Sequence, residues 1–167
     1  PLRSIGFGYN SVFGAEVRTE WDVESLFRSS LPDGLRWRLN VDYLSERGPM
    51  VGTNLRHNGV VNILGIPAAS SGDLSIDYVR DSGKDIISAD RNGLTPETEN
   101  RGRVVGRHRL QFSPATSLLS EIGYLTDRNV REQFWVQDWD YGKDYESLLQ
   151  LNHQVDNLST SLTGRTH

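Results

Sequence analysis

The sequence of 167 residues contains no cysteine, a single methionine, and no apolar run near the ~18 residues that a membrane-crossing helix needs. The first absence excludes disulfide scaffolds, thiolate metal sites and cysteine nucleophiles, and says nothing about redox compartment. Apolar residues make up only 36%, yet with 16 glycines added the chain reaches the lower edge of the globular range. A fully disordered chain is therefore excluded. The formal charge of −4 is spread over both signs, so the chain has no basic footprint for nucleic acid. It opens Pro1-Leu2-Arg3-Ser4 without an initiator Met or an apolar targeting segment. The expectation is an internal section of a longer protein, with residues 1–167 forming one unit and no separate second domain.

Catalytic constellations are missing as well. His57, His108, His153 and His167 stand apart, without metal-ligand spacing. Gly6-Phe7-Gly8 lacks the third glycine and the helix of a dinucleotide fingerprint, and Gly83-Lys84 and Gly142-Lys143 lack the upstream glycine of a phosphate loop. No serine sits in a nucleophile elbow. The chain reads as a non-enzyme with no catalytic residue, no cofactor and no metal. Asp138, Asp140 and Asp144 share a loop with Trp135, Trp139 and Tyr141. A solvated loop with aromatic anchors suits this composition better than a weak calcium or sugar contact. Asn157-Leu158-Ser159 matches a glycosylation sequon but falls in an expected hairpin.

What the sequence does have is a period of two. Ala15, Val17, Thr19, Trp21 and Val23 alternate with Glu16, Arg18, Glu20, Asp22 and Glu24; Leu35, Trp37, Leu39, Val41 and Tyr43 alternate with Arg36, Arg38, Asn40 and Asp42. Side chains alternate faces along a strand, so each segment has one apolar and one charged face. Pro32-Asp33-Gly34 between them is a turn signal. An antiparallel register follows from charge: Glu24 opposite Arg36, Asp22 opposite Arg38 and Arg18 opposite Asp42, with Trp21 on Leu39 and Val17 on Tyr43. A shift by two sets acid against acid.

Similar reasoning pairs Arg109 with Glu121 and Leu110 with Ser120 across Ser113-Pro114-Ala115-Thr116, and Val155 with Leu158 and Leu151 with Leu162 across Asp156-Asn157. Leu74, Ile76 and Tyr78 make a shorter strand. Residues 56–73 break the pattern, and Gly65, Pro67 and Ser71-Gly72 suggest a bulge or excursion there. About eight strands are expected. Tight turns follow the strands ending near Phe112 and Val155; long polar loops follow those ending near Tyr78 and Leu125. That asymmetry belongs to an antiparallel up-and-down transmembrane β-barrel. The alternating segments also match the ~9–11 residues that cross a bilayer, and Tyr43, Tyr78 and Tyr124 sit near segment ends, as an interfacial girdle requires. A soluble β-sandwich binding a carbohydrate or other ligand through the 127–144 loop has the same alternation. So does a small complete eight-stranded barrel.

One motif occurs twice. Tyr43-Leu44-Ser45-Glu46-Arg47 returns as Tyr124-Leu125-Thr126-Asp127-Arg128, each copy closing a strand and opening a connection. The run 121–128, then Phe134, Lys143-Asp144 and 148–165, resembles the barrel of the LptD family of outer-membrane lipopolysaccharide-assembly proteins, also called organic solvent tolerance proteins. Phe13-Gly14 and 45–49 are similar to the family too. Thr126 stands where that family usually has Ser, and Glu46 where it usually has Asp. The resemblance implies a barrel of about 26 strands, of which this chain is a part. It also implies location in the outer membrane of a Gram-negative-type bacterium, lipopolysaccharide or another glycolipid as cargo, and a lipoprotein partner like LptE. On this reading Val17, Trp21, Trp37, Leu39, Val41 and Tyr43 face lipid. Glu16, Arg18, Glu20, Asp22, Glu24, Arg36, Arg38, Asp42, Arg109 and Glu121 face the lumen, either as a solvated lining of self-paired charges or as a path for the cargo's phosphate-bearing sugars.

Overall fold

The computed structural model describes residues 1–28, 30–87, 92–142 and 144–166. Lys143 and His167, named above, lie outside the described residues. In chain order the elements are β1 (Leu2–Asn10), β2 (Gly14–Asp22), α1 (Val23–Phe27), β3 (Leu35–Leu44), β4 (Gly48–Ile63), β5 (Ile66–Arg80) and β6 (Asn100–Ser113). There follow β7 (Thr116–Leu125), α2 (Val130–Phe134), α3 (Val136–Tyr141), β8 (Ser147–Val155) and β9 (Leu158–Thr166). The nine strands, not eight, form one antiparallel meander in which every strand pairs with its neighbours in sequence. β1 and β9 are the two edges of this sheet, which is open. We call the end carrying residues 11–13, 45–47, 81–99 and 126–146 the upper end.

The register argued from charge is found for β2 and β3: Val17 faces Tyr43, Arg18 faces Asp42, Trp21 faces Leu39 and Asp22 faces Arg38. It stops there. Glu24, expected opposite Arg36, lies in α1, because Asp22 caps a helix by accepting a 3.0 Å hydrogen bond from the Ser25 amide. Val23, expected on the apolar strand face, is instead buried at the start of that helix. The Pro32-Asp33-Gly34 turn then leads into β3, with the Leu35 amide donating to the Pro32 carbonyl. Gly34 has φ +80° and lies against the Asn58 carbonyl, so a side chain there is excluded twice over.

The β8–β9 hairpin also has the expected register, with Val155 opposite Leu158 and Leu151 opposite Leu162. The β6–β7 register differs by one pleat. Arg107, not Arg109, faces Glu121, and Leu110 faces Leu118. The connection closes more tightly than its sequence suggests, with Ser113 opposite Thr116 and an irregularity between Gln111 and Ser113. The Ser113 hydroxyl accepts a 3.2 Å hydrogen bond from the Ala115 amide and holds this turn. A two-residue shift keeps every side chain on its expected face.

The irregular stretch 56–73 is no excursion. It is the outer part of a long hairpin in which β4 and β5 pair without interruption from Met50–Val79 to Ile63–Ile66. Leu64 and Gly65 make its turn, both at positive φ. The short strand expected around Leu74 is therefore 15 residues long.

The sheet keeps most of its charged side chains and most of its apolar ones on opposite faces, although His57, Ser70, His108, Ser120 and His153 share the apolar side. That side carries Ile5, Phe7, Tyr9, Val17, Val41, Tyr43, Val51, Ile76, Tyr78, Ile122, Tyr124, Leu149 and Leu162, all exposed. Phe7 is 76% exposed and Tyr9 81%, so nothing among the described residues packs over them. Among the described residues no second sheet covers this face, as the sandwich alternative would require. Trp21, Trp37 and Leu39 lie on it half-buried by their neighbours. Each indole finds a hydroxyl within the sheet: Trp21 Nε1 donates to Thr19 Oγ1 at 2.9 Å and Trp37 Nε1 to Thr53 Oγ1 at 2.7 Å. The small buried core sits on the other face, at the upper end, where Leu44, Met50 and Val79 meet Phe13, Phe134 and Trp135.

Candidate functional site

The two copies of the strand-end motif do the same backbone work. The Ser45 amide donates to the Ala15 carbonyl, and its hydroxyl accepts from the Ala15 amide at 2.9 Å. The Thr126 amide donates to the Gly102 carbonyl, and its hydroxyl accepts from the Gly102 amide at 2.9 Å. Each hydroxyl thus satisfies an amide at the start of the preceding neighbour strand. Tyr43 and Tyr124 point outward onto the apolar face just below. Tyr78 lies at the same end, and Tyr9, which the sequence reading did not single out, extends the row.

The acid and base that follow diverge, and their divergence builds the site. In the first copy Glu46 is exposed and Arg47 is buried. Arg47 Nε donates to the Val12 carbonyl at 3.1 Å, and its guanidinium lies 3.4 Å from Asp81. In the second copy Arg128 is exposed and Asp127 turns inward. Its two oxygens accept from Arg101 at 2.9 Å each and from the Asn129 and Val130 amides. Arg101 completes the set, 2.8 Å from Asp81 and 2.6 Å from Asp85. Arg47 and Arg101 are 1% and 0% exposed. One guanidinium therefore clasps three carboxylates and ties together the 81–99 loop, the 126–146 loop and, through Asp81 and Arg47, the turns at 11–13 and 45–47.

Aromatic packing closes this clasp. The Phe134 ring stacks on Phe13 at 5.7 Å between centroids, with Arg47 at 5.9 Å and Arg101 at 5.7 Å from its own centroid. Arg103 lies 4.0 Å over Trp135 and pairs with Asp77 at 2.8 Å and Asp138 at 2.5 Å. The 126–146 connection, expected as a solvated loop, is thus folded against the polar face, with Val130, Arg131 and Gln133 buried. The Gln133 side-chain oxygen accepts a 2.7 Å hydrogen bond from the Ile86 amide and stitches the two long loops together. Asp140 and Asp144 are exposed, Asp144 lies 3.4 Å from Arg131, and no group of three metal-competent side chains occurs among the described residues.

Charge balance sets the chemistry of the upper end. Burial works against the ionised form of Asp127, but the two hydrogen bonds and charge of Arg101, with two backbone amides, hold its carboxyl below the usual carboxylate range. Burial pushes the Tyr145 hydroxyl up, and the nearby Asp138 carboxylate adds to the shift. Tyr145 accepts from Arg103 at 2.9 Å and donates to Asp138 at 3.1 Å.

The expected polar residues of β2 and β3 do share the polar face. Glu16 pairs with Arg18 at 2.8 Å, and Glu20 takes both Arg3 at 3.0 Å and Arg38 at 3.4 Å. Asp42 accepts from the Thr19 amide at 2.9 Å. Arg109 is exposed and donates to Gln111 at 2.9 Å rather than meeting Glu121. Sequence reasoning missed Asp81, Asp85, Arg101, Arg103 and Asp77. The first two lie in a stretch that reads only as a polar loop, and no local spacing announces their convergence.

Comparison with protein-family models finds no match for this chain, and comparison with curated proteins finds none either.

Arg101→Gln removes the shared cation and leaves three carboxylates facing one another. It is expected to destabilise the fold by ~3–5 kcal/mol, the effect of breaking a buried ion pair. Denaturant unfolding and limited proteolysis check this, with new cleavage in residues 81–99 and 126–146. An unchanged midpoint with both loops still protected would show that the clasp is not what holds them.

Proposed function

We propose that this chain is a section of an outer-membrane β-barrel belonging to machinery like that of the LptD family, which translocates lipopolysaccharide and inserts it into the outer membrane of a Gram-negative-type bacterium. The observation that carries the membrane part is the apolar face. A monomeric soluble protein rarely leaves an apolar patch larger than a few hundred Å² uncovered, whereas here one face of the sheet is apolar and exposed from β1 to β9. Lipid is the solvent that such a face needs.

Four further features support the reading. Every strand has 9 to 16 residues, enough to cross a hydrocarbon core when tilted. Tyr9, Tyr43, Tyr78 and Tyr124 line the upper border of the apolar face, where amphipathic rings sit at a headgroup boundary. The connections from β4 onward alternate between two-residue turns below and long loops above. The open edges of β1 and β9 leave backbone groups that further barrel strands would pair. The lipopolysaccharide part rests on the resemblance of residues 118–165 and of the repeated strand-end motif. On this reading the polar face lines the lumen, the folded 126–146 loop narrows its upper end, and an LptE-like lipoprotein is the expected partner.

The membrane part is tested by lipid-depth fluorescence. With Trp135→Phe and Trp139→Phe, the remaining emission comes from Trp21 and Trp37. In vesicles containing acyl-brominated lipid both are expected to be strongly quenched. A chain that folds in plain buffer with both indoles shielded and no vesicle binding would remove the barrel reading and restore the soluble module.

The cargo assignment is tested in the host. Depletion of the intact protein is expected to leave lipopolysaccharide off the cell surface, and normal surface lipopolysaccharide after depletion would overturn it.

A further inference from the structure

In the upper half of the polar face Arg47, Arg101 and Arg103 are all paired with carboxylates; in the lower half the arginines are not all so paired. Its arginines lost their expected partners when β2 ended early. Asp22 spends a carboxylate oxygen on the Ser25 amide, and Glu24 leaves the sheet in α1. Arg38 is left to share Glu20 with Arg3. Arg36 has no carboxylate across from it on β2 and on its other side stands directly opposite Arg56 of β4. Like charges directly opposite in an antiparallel pair are unfavourable. Arg56 has Asp73 opposite it on β5, whereas Arg36 has no carboxylate on either side, and among the described residues neither arginine makes a side-chain ion pair or hydrogen bond.

The space around this pair is open and shaped. On one side Glu20, Arg36, Arg38, Asn54 and Arg56 line a cleft of about 170 Å³. A single water needs ~10–15 Å³ on the same scale, so a tetrahedral oxyanion fits with several waters. On the other side the same two arginines border a wider hollow that continues over Asn58, Ser71, Asp73 and Arg107. Each hollow sets three guanidinium groups against one carboxylate, in a chain whose overall charge is −4. Asn54 adds an amide at the floor, with its carbonyl already accepting from Ser75 at 2.7 Å and its NH₂ left to donate.

We propose that Arg36, Arg38 and Arg56 form a receptor for the phosphoryl group of a phosphorylated sugar. Guanidinium groups present planar, paired donors that match phosphate oxygens, and an anion seated between Arg36 and Arg56 converts their repulsion into shared attraction. The assignment deepens the lipopolysaccharide reading and rests on it for the identity of the cargo; the site itself rests on the charge arrangement of the sheet.

Inorganic pyrophosphate is the probe, titrated calorimetrically into the full chain in a non-ionic detergent, with melting followed in parallel. The wild-type chain is expected to bind saturably and to melt higher with pyrophosphate. Arg36→Gln combined with Arg56→Gln is expected to lower the affinity at least about tenfold, while Arg109→Gln, on the same face but outside the cleft, leaves it within about twofold. Arg36→Gln alone, at a position with no carboxylate opposite it, is expected to raise the melting temperature in anion-free buffer by removing repulsion, and to diminish the rise on adding pyrophosphate. A merely structural arginine would do the opposite.

No saturable binding, equal loss in Arg109→Gln, or undiminished binding in the double variant would each overturn the site. Binding without lipid quenching would remove the membrane reading and keep the site. Quenching without binding would do the reverse.

Discussion

A nine-stranded meander can separate apolar from charged side chains only if register is kept across every seam, because a slip of one residue exchanges the two faces of a strand. Here the seams hold. β4, β5 and β6 pair without a break over their shared lengths, and the irregularities fall at the borders, between Leu2 and Ser4 and between Gln111 and Ser113. Cross-strand matches such as Arg18 with Asp42 and Trp21 with Leu39 each contribute modestly, ~0.2–1 kcal/mol, but they all favour one alignment. The consequence is a sheet with no apolar core between layers. Its apolar face looks outward, and its small core lies on the charged side beneath a folded loop.

That loop is held by an ionic device as well as by the packing of Phe134 and Trp135 on the small core. Arg101, with Asp81, Asp85 and Asp127, is almost fully withdrawn from water. Such clusters contribute less to stability than their short distances suggest, since desolvation offsets the attraction. Their value is geometric: a guanidinium fork donates to its carboxylates in only a few directions. The clasp therefore fixes where four separate connections end. It sets the cover over the upper end of the polar face, while the lower end stays open and carries unbalanced arginines.

Much of this was legible in the sequence, for physical reasons that also mark where reading fails. Charge pairs made the β2–β3 register readable because charges of both signs alternate with apolar residues on both strands. The β4–β5 hairpin was hidden because Gly59, Ala68, Ala69, Ser70, Ser71 and Gly72 carry too little contrast between faces to announce a strand. Glu24 was misplaced because Asp22 can serve a ladder or a helix cap, and the cap won. The β6–β7 register was misread by a pleat because a bulge at the turn is invisible to pairwise charge matching, and Arg107 serves Glu121 as well as Arg109 would. Ser45 and Thr126 were readable as a repeated motif. The clasp was not, since its members come from residues 47, 81, 85, 101 and 127, and only the folded topology makes them neighbours.

The central claim is that one face of this sheet meets lipid while the other meets water. The natural absence of cysteine allows single cysteines to be placed at will. A scan along β3, through Arg36→Cys, Trp37→Cys, Arg38→Cys, Leu39→Cys, Asn40→Cys and Val41→Cys, would be read with a membrane-impermeant maleimide after reconstitution into vesicles. The account predicts strict alternation: positions 36, 38 and 40 label, while 37, 39 and 41 label only once the bilayer is dissolved. Labelling of the odd positions in intact vesicles, or their protection in the absence of any lipid, would contradict it.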